Sequence, residues 1–550
     1  LKTLTESEYE VNFNSARTGI RLNGPIPQWV REDGGEAGLH PSNIHDNAYA
    51  VGTLDLTGDQ SILLGPDGPS LGGFVCSVTT AKGEMWKLGQ LHPGDKVHFR
   101  LLDLDQAKEI REAEEANLRH EYKEVVLPEQ KDLDYHYAIL AEETAAGTKI
   151  VARLDGEDNI LVEYGEMELD IAIRFRVHVL MQELKKKDLP VIDLTPGIRS
   201  LQIHFDIGKI SLKEMLAAVL ETNRTLPELS DVTVPSRIIW LPLSWDDPQT
   251  QLAAKRYQQT VRPNAPWCPS NPEFIRRING LDSIEDVKKI VFDADYLVLG
   301  LGDVYLGAPV ATPVDPRHRM VTTKYNPARP WTPENAVGIG GAYLCVYGME
   351  GPGGYQFVGR TIQMWNPLKE TEYFKHGKPW LLDFFDQIRF YPVSAEEILK
   401  DREDFLRGRF KIKIEETSFN LGKYQEFLKE HEDTIRVFKD HQEASFEAER
   451  KMWKEKGLDE FDSETQDAPA IVEETVPDGC EAARTNIPGS VWKVLVEDGQ
   501  KVREGDTLVI LESMKMEFPV TAEYSGTIEK VYLKPGEQVN SGQLAASIRV

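Results

Sequence analysis

Lys515 carries a primary amine at the centre of a short stretch of sequence with similar segments on either side. It lies between Met514 and Met516, in the stretch Glu512-Ser513-Met514-Lys515-Met516-Glu517. The segments 487–496 and 524–533, on either side of it, are similar at a constant offset of 37 residues. A repeated β-type half predicts two similar sheets related by a quasi-twofold, with Lys515 at the tip of the hairpin between the halves. A lysine on such a tip is ordinarily only a solvated charge, so its surroundings must decide its role.

The elements around this hairpin predict a small all-β domain over residues 477–550. Short apolar–polar strands and turns at Asp498-Gly499 and Pro535-Gly536 are typical of a flattened barrel or sandwich. The preceding segment, 457–476, is acidic and poor in core-forming residues, which favours a flexible tether. Before it, residues 393–456 have a helical composition, with a loose apolar stripe over 424–453 that predicts a helix packed on the body of the protein.

The first part of the chain, residues 1–105, reads as a mainly β module with long polar loops. One loop, 38–49, carries Asn43, Asp46 and Asn47, and a second spans 65–76. Polar, glycine-punctuated loops are common places for binding groups. Asn, Asp, Pro and Gly are also ordinary turn formers, so the residues alone leave both interpretations open.

A connecting helix is predicted within 106–134, followed by a second, α+β module over 135–392. Its pattern predicts strands at 149–154, 160–164 and 199–205, and helices near 168–187, 211–223 and 282–291. The stretch 296–361 is dense in glycine and locally rich in basic residues. It contains Asp303, Lys324, Gly353, Gly354 and Arg360. Close backbone approach and a surplus of cations favour anion binding there, although a loop-rich edge with solvated charges has the same composition.

Composition excludes several classes of protein. The 550 residues carry a net charge of −27, which argues against a nucleic-acid partner. No stretch has the ~20 apolar residues of a membrane span, and four widely spaced cysteines favour reduced thiols, so we expect a cytoplasmic protein. No His-x-His pair or other metal motif is present, and we predict no metal site. The chain starts at Leu1, and we expect it to be part of something longer.

The Met514-Lys515-Met516 motif resembles that of biotin carboxyl carrier domains, rather than the related lipoyl domains. The two preceding modules resemble the carboxyltransferase half of the urea carboxylase and urea amidolyase family, residues 1–105 the C-terminal part of its subunit 2 (KipA-type) region and 135–392 its subunit 1 (KipI-type) region. The matching runs are 15–19, 38–49, 68–76, 241–248, 269–283, 299–329, 336–348 and 351–361. The resemblance implies β-rich, cyclophilin-like modules with the active site between them. The subunit 2 region is shorter here than is usual in the family.

The resemblance further implies an activity and its partners. Carboxybiotin, formed on Lys515, would deliver its carboxyl group to urea and give allophanate. A separate biotin carboxylase domain would use ATP, Mg and bicarbonate, a biotin protein ligase would attach biotin, and an allophanate hydrolase (amidase) domain would consume the product. Biotin's own nitrogen can take the proton that urea loses, so the remaining needs are hydrogen-bond donors, a dry pocket and orientation of urea. Homo-oligomer formation is left open.

Roles for individual residues follow from this resemblance as hypotheses. Asn43, Asp46 and Asn47 would orient the NH2 groups of urea, and Asp303 would accept their N–H bonds. Lys324 and Arg360 would favour the carboxylate during transfer. Gly353 and Gly354 would admit the biotin ring to the backbone, with Met514 and Met516 flanking its point of attachment.

Two alternatives remain beside urea carboxylation. The acceptor could be guanidine or another amide, because the sequence does not fix the acceptor. The paired modules also occur in 5-oxoprolinase components and in a KipI/KipA-type kinase-inhibitor complex, so they could bind and regulate rather than transfer. A pure inhibitor has no use for Lys515, which favours the enzyme. Pyruvate-type and acyl-CoA carboxyltransferases are disfavoured, since neither an eightfold βα pattern nor a crotonase-like pattern is present.

Overall fold

The N-terminal module is a seven-stranded antiparallel sheet. A computed structural model of the chain describes residues 1–12, 15–124, 126–145, 147–302, 307–459, 476–513 and 516–550, with only the backbone for Met516. After helix α1 (Lys2–Glu6) come β1 (Glu8–Val11), β2 (Ile20–Asn23), β3 (Asn43–Ala48), β4 (Thr53–Thr57), β5 (Gln60–Leu63), β6 (Leu71–Thr79) and β7 (Lys96–His98). The sheet order is β3-β6-β4-β5-β2-β1-β7. Alternate residues such as Tyr9 and Val11 are buried in its core, as the strand period requires.

The predicted connecting helix is present as α2 (Leu104–Leu118), which begins two residues before the expected span of 106–134 and ends well inside it. Asp103 caps it, because its carboxylate accepts from the backbone N–H of Gln106 at 2.9 Å. The Gln106 side chain returns the bond to the N–H of Asp103 at 3.1 Å, which completes a capping box. The sequence therefore fixes the start of this helix locally.

The second module begins with a five-stranded antiparallel sheet packed against two helices. The predicted strands and helices are confirmed to within a few residues, as β8 (Ile139–Ala145), β9 (Thr148–Leu154), β10 (Asn159–Tyr164), α3 (Ile171–Lys185), β11 (Val191–Pro196), β12 (Ser200–Phe205) and α4 (Leu212–Arg224). The order is β11-β12-β10-β9-β8. Residues Val177, Leu180 and Leu184 of α3 are buried against this sheet, since they recur at helical spacing.

The rest of the second module is a closed barrel. Its elements are β13 (Thr233–Trp245), α5 (Pro248–Thr260), α6 (Asn271–Ile278), α7 (Ile284–Asp293), β14 (Tyr296–Leu301), β15 (Pro309–Pro313), β16 (Arg329–Thr332), β17 (Ala336–Gly340), β18 (Tyr343–Val346), β19 (Gly351–Gly353), β20 (Gln356–Arg360), β21 (Gln387–Val393), α8 (Ala395–Leu406) and β22 (Lys413–Asn420). The strand order is β20-β17-β18-β15-β14-β21-β13-β22, and β20 also pairs with β13. Seven strands therefore close a barrel that β22 extends, which confirms the expected β-rich, barrel-like module.

Two helices, α9 (Leu421–Glu430) and α10 (Glu432–Lys456), follow the barrel. Trp453 of α10 lies 5.7 Å from Trp267 and stacks on Phe274 at 6.0 Å, measured between ring centroids. The carboxylate of Glu449 accepts from Arg277 at 2.7 Å. The expected packing of the helix over 424–453 on the body is confirmed. The helical prediction for 393–456 is wrong at 413–420, because this stretch forms β22 and pairs with β13. Most of the expected tether, residues 460–475, lies outside the described residues.

The C-terminal domain consists of two similar halves. Its strands are β23 (Cys480–Arg484), β24 (Gly489–Val494), β25 (Lys501–Val502), β26 (Thr507–Ser513), β27 (Met516–Thr521), β28 (Gly526–Val531), β29 (Gln538–Val539) and β30 (Leu544–Arg549). The two sheets have the orders β23-β30-β28-β25 and β27-β26-β24-β29. A shift of 37 residues carries β24 onto β28 and β25 onto β29, so each sheet is the counterpart of the other. The predicted two-sheet repeat is confirmed.

The hairpin at the centre of this domain is also confirmed. Ser513 of β26 pairs with Met516 of β27, so only Met514 and Lys515 connect the two strands. Those two residues lie outside the described residues. As for membranes, none of the described helices combines the length and the apolar character that a bilayer span requires.

Candidate active site

A cavity of about 130 Å³ lies between the N-terminal module and the barrel, and we call it the junction pocket. One wall comes from the N-terminal sheet, a second from the loop around Lys324 and the glycine run before Tyr355, and a third from Glu512 of the C-terminal domain. All three parts of the chain therefore meet at one cavity. Its lining residues are Ala16, Thr18, Gly19, Arg21, Tyr49, Asp55, Thr57, Ile62, Leu64, Pro69, Leu71, Gly72, Gly73, Phe74, Lys324, Ala328, Pro330, Tyr347, Pro352, Gly353, Gly354, Tyr355 and Glu512.

The centre of the site is a buried ion pair between the two modules. Asp46 on β3 is fully buried, and its Oδ1 lies 3.6 Å from the Nζ of Lys324, which is 3% exposed. The hydroxyl of Tyr355 donates to the Oδ2 of Asp46 at 3.1 Å. The backbone oxygen of Asp46 accepts from the N–H of Ile198 at 2.8 Å, which fixes β3 against the second module.

The ammonium group of Lys324 is held at the pocket by a backbone carbonyl and two aromatic rings. Its Nζ donates to the backbone oxygen of Gly73 at 3.0 Å. It also lies 4.5 Å from the ring centroid of Phe74 and 5.3 Å from that of Tyr355. Ring faces attract a cation, so a carbonyl and two aromatic rings replace part of the water that the ammonium loses on burial. Burial raises the pKa of Asp46, and the charge of Lys324 acts in the opposite direction.

The floor of the pocket is a row of residues across three neighbouring strands. Arg21 on β2 pairs in register with Ile62 on β5, and Ile62 pairs with Asp55 on β4. Register partners point to the same face of a sheet, so all three side chains face the cavity. The guanidinium of Arg21 donates to the Oε1 of Gln60 at 3.1 Å. Burial lowers the pKa of Arg21 to about 10 and raises that of Asp55 to about 7.

Glycines let the walls approach one another closely. A Cβ on Gly353 would lie 2.6 Å from the Oγ1 of Thr332, and one on Gly354 would lie 3.3 Å from the Cβ of Lys324. A Cβ on Gly73 would overlap the Nζ of Lys324. Side chains at these positions would therefore fill the pocket or displace its cation.

The C-terminal domain contacts the second module through a stacked arginine. The guanidinium carbon of Arg256, on α5, lies 3.6 Å from the ring centroid of Trp492 on β24. The same carbon lies 4.5 Å from the ring centroid of Trp331 in the barrel module. The carboxylates of Glu512 and Glu517 also face Arg256 closely enough to act on its pKa, although its burial lowers that pKa. This contact places the hairpin strand that precedes Lys515 at the wall of the pocket.

The structure brings together four of the residues predicted from sequence: Asp46, Lys324, Gly353 and Gly354. Asn43 is buried on the same strand as Asp46 but does not line the pocket. Asn47 accepts a hydrogen bond from the hydroxyl of Ser200 and so joins the two modules.

Other predicted residues lie elsewhere. Arg360 donates to the backbone oxygen of Glu334 at 2.8 Å and does not line the pocket. Asp303, Met514 and Lys515 lie outside the described residues, as does the side chain of Met516.

Sequence reasoning missed Arg21, Asp55 and Tyr355 as residues of the pocket. Asp55 sits in the strand Thr53–Thr57, which is buried at every position, and a charge inside a fully buried strand was a signal that could have found it. Arg21 gave a similar signal in Ile20–Asn23. Tyr355 follows the glycine run directly, and only the tertiary fold shows that its hydroxyl reaches Asp46.

Comparison with protein families identifies the class of this chain. Residues 1–101 match the family model of the carboxyltransferase domain, subdomain A and B, and residues 150–374 match that of subdomain C and D. Residues 475–548 match the family model described as biotin-requiring enzyme. The chain thus consists of a carboxyltransferase domain with its four subdomains and a biotin-requiring domain.

Comparison with individual proteins narrows this class. Over 98% of its length the chain is 39% identical to the urea amidolyase of Lachancea kluyveri, and over 99% it is 32% identical to a putative urea carboxylase of Emericella nidulans. The crystal structure of the Kluyveromyces lactis urea carboxylase superposes on the whole chain with a TM-score of 0.89 at 37% identity. The chain is similar to this family over nearly its whole length, and it spans 30%, 46% and 48% of the lengths of these three relatives.

The pocket fits the biotin group that this family requires. Glu512, three residues before Lys515 in the sequence, forms part of the pocket wall, so the strand that leads to the hairpin reaches the cavity. Pro352, Gly353 and Gly354 lie in the same wall as Lys324, and the two glycines let this wall pack without a Cβ, since one on Gly354 would lie 3.3 Å from the Cβ of Lys324. These backbone segments would hold the ring system of the cofactor.

Proposed function

We propose that this chain transfers a carboxyl group from biotin, attached to Lys515, to urea, giving allophanate. The observation that carries the proposal is that Glu512, on the strand that leads to Lys515, lines the same pocket as Lys324, whose Nζ is ion-paired with the buried Asp46. The similarity to urea amidolyases and urea carboxylases over nearly the whole chain supports urea as the acceptor.

The buried pair supplies the electrostatics of the step. The carboxyl group carries its negative charge from donor to acceptor, and a fixed cation in a water-poor pocket stabilises such a charge more than an exposed cation does. Lys324 is that cation, since its Nζ lies within the lining and points at Gly73. Asp46 Oδ1 would accept an N–H of urea, while Tyr355 holds the other oxygen of the same carboxylate.

Apolar residues keep water out of the pocket. Phe74, Leu64 and Pro330 line it, and Leu71 at its edge is fully buried. Exclusion of water strengthens every charge interaction inside and protects the group in transit from loss to solvent. Biotin supplies the carboxyl group on a nitrogen that can afterwards take the proton of urea.

Other parts of the reaction belong to partners outside this chain. A biotin carboxylase domain that uses ATP, Mg and bicarbonate would load the cofactor, and a biotin protein ligase would attach it. An amidase domain would hydrolyse allophanate. Roles for Asn43, Asn47, Asp303 and Arg360 remain predictions. Asn47 fits positioning of the module interface better than contact with urea, and the described bond of Arg360 lies within the barrel module.

An acceptor-dependence assay tests this proposal. The biotinylated chain is mixed with a separately produced biotin carboxylase domain, ATP, Mg and bicarbonate, and release of ADP is followed with urea, guanidine or acetamide. We expect turnover that depends on urea and disappears in Lys515→Arg. Preference for guanidine would keep the transfer and change the acceptor. No acceptor-dependent turnover from a fully biotinylated chain would contradict the proposal and favour a binding or regulatory role.

A further inference from the structure

Asp55 is a buried carboxylate with one oxygen unused. It is 4% exposed and lines the junction pocket. The hydroxyl of Thr57 donates to its Oδ2 at 3.0 Å. Its Oδ1 has no hydrogen-bond partner among the residues that the structure describes. A buried polar atom without a partner is costly, and on the wall of a cavity it indicates a donor that arrives with a ligand.

From this geometry we propose that the Oδ1 of Asp55 accepts an N–H bond from the amino group of urea that is not carboxylated. The inference rests on the function proposed above and extends it, because it assigns a second substrate-binding residue, on the floor of the pocket. Asp55 lies on β4 in the floor row, whereas Asp46 lies on β3 beside Lys324.

The neighbours of Asp55 leave its Oδ1 to a ligand. Arg21, on the far side of Ile62 in the same row, donates instead to Gln60. In the described parts of the chain no lysine, arginine or histidine nitrogen comes within salt-bridge distance of Asp55; Lys324 acts on it only at longer range.

Asp55 lines the pocket, and Asp46 lies directly behind the lining, in contact with Lys324 and Tyr355. Two carboxylates so placed match a small molecule with two amino groups. Urea presents one NH2 group on each side of its carbonyl, so one can meet Asp46 beside the cation while the other meets Asp55. Acetamide has only one NH2 group and cannot satisfy both. Asp55 is therefore expected to determine the preference for acceptors with two amino groups.

The protonation state of Asp55 makes the inference sensitive to pH. Burial raises its pKa to about 7, and the bond from Thr57 and the charge of Lys324 act in the opposite direction. Tyr49 and Cys76 also face it, and both stay neutral near pH 7 because burial raises the pKa of each well above its usual value. Only ionised Asp55 offers both oxygens as acceptors, so urea binding should strengthen as pH rises through about 7.

Three variants test this inference on the biotinylated chain. Asp55→Leu removes both oxygens, Asp55→Asn removes the charge, and Thr57→Val removes the bond that favours ionisation. Asp67→Asn is the matched control, because Asp67 is an exposed carboxylate of the same module that pairs with Arg17. Binding of urea and acetamide is measured by saturation-transfer NMR from pH 5.5 to 8.5, and kcat/KM for urea by ADP release.

We expect Asp55→Leu to weaken urea binding about 10- to 100-fold while changing acetamide binding less than threefold, as for loss of a bond to a charged group. Asp55→Asn should abolish the rise of urea affinity near pH 7, and Thr57→Val should move that rise to higher pH. If all three variants bind urea with the same affinity and pH profile as the control Asp67→Asn, the role of Asp55 is overturned and the proposed function still stands. An unsubstituted chain that neither binds nor uses urea would overturn both.

Discussion

The C-terminal domain and the junction pocket differ in how their functional residues are distributed along the chain. In the C-terminal domain the attachment lysine, its flanking methionines and the repeated strands lie within 74 residues, and the two sheets are counterparts at one offset. The pocket instead draws Asp55, Lys324 and Glu512 from three distant parts of the chain. A short local motif is enough to specify where the carried group is attached. The pocket that receives the group forms only when distant parts of the chain fold together.

The two regions also differ in electrostatics. Glu512 is half-buried and Glu517 is exposed, so the charges beside the attachment lysine remain close to solvent. Asp46, Asp55 and Lys324 are almost fully buried. Charges in water interact weakly, and buried charges interact strongly. Substitutions in the pocket should therefore have larger effects on chemistry than charge changes on the hairpin flanks.

The largest expected effect is on the local motif. Lys515→Arg keeps the charge but removes the amine that forms the amide with biotin, so the chain should lose all biotin, measured by avidin blot and intact mass. Lys530→Arg, in the repeated strand of the same domain, is the control and should remain fully biotinylated. Residual biotin on Lys515→Arg would show that the attachment site has been misassigned.

The second largest expected effect comes from a substitution in the pocket that leaves the attachment motif unchanged. Lys324→Met should lower urea-dependent turnover by about 100-fold or more, because a preorganised group that stabilises transferring charge is typically worth that much. Biotinylation should not change. Lys411→Met, on an exposed lysine, is the control.

Asp46 supplies a second variant for the same pair. Lys324→Met leaves Asp46 as an uncompensated buried carboxylate, which costs about 3–5 kcal/mol, whereas the double variant Lys324→Met/Asp46→Asn removes both charges. The double variant should recover thermal stability without recovering turnover. If it recovers both, the loss in Lys324→Met was structural and Lys324 has no role in transfer.

A smaller effect concerns the contact that joins the two regions. Arg256→Ala removes the stack on Trp492 and Trp331, and should lower urea-dependent turnover about 3- to 10-fold while avidin captures the exposed hairpin faster. The magnitude follows from a cation–π contact of about 1 kcal/mol. Lys255→Ala, on the neighbouring exposed residue of α5, should change neither. Equal behaviour of the two variants would show that this contact does not position the hairpin.

The smallest effect tests the symmetry of the C-terminal domain. Gly499 and Gly536 are counterparts at the repeat offset, with φ of +85° and +88°. Alanine at either position should destabilise the domain by about 1–2 kcal/mol, because residues with a Cβ avoid this region. Thermal unfolding of the two variants should agree closely; a large difference would show that the halves are not energetically equivalent.

The comparison also explains what the sequence could predict. The repeat, the hairpin and the helix α2 are short-range features, and the pattern of residues 477–550 and the helix-forming composition of the connecting segment predicted them. Asp46 and Lys324 were predicted as separate members of polar and basic loops, but their contact at 3.6 Å depends on the docking of two modules. Asp55 was missed because its strand looks like core, and its partners across the sheet follow only from register. Arg360 was predicted as a site residue because of its glycine-rich neighbourhood, but its side chain donates to the backbone oxygen of Glu334, outside the pocket lining.

The most direct test of the account is a single-turnover chase. The chain is loaded with label from [14C]bicarbonate by a separate biotin carboxylase domain, freed of nucleotide, and mixed with urea, and the label is followed from protein to small molecule. The account predicts rapid transfer of the label to allophanate in the unsubstituted chain and retention of the label in Lys324→Met. Label that stays on the unsubstituted protein in the presence of urea, or that leaves both proteins equally fast, would contradict transfer at the junction pocket.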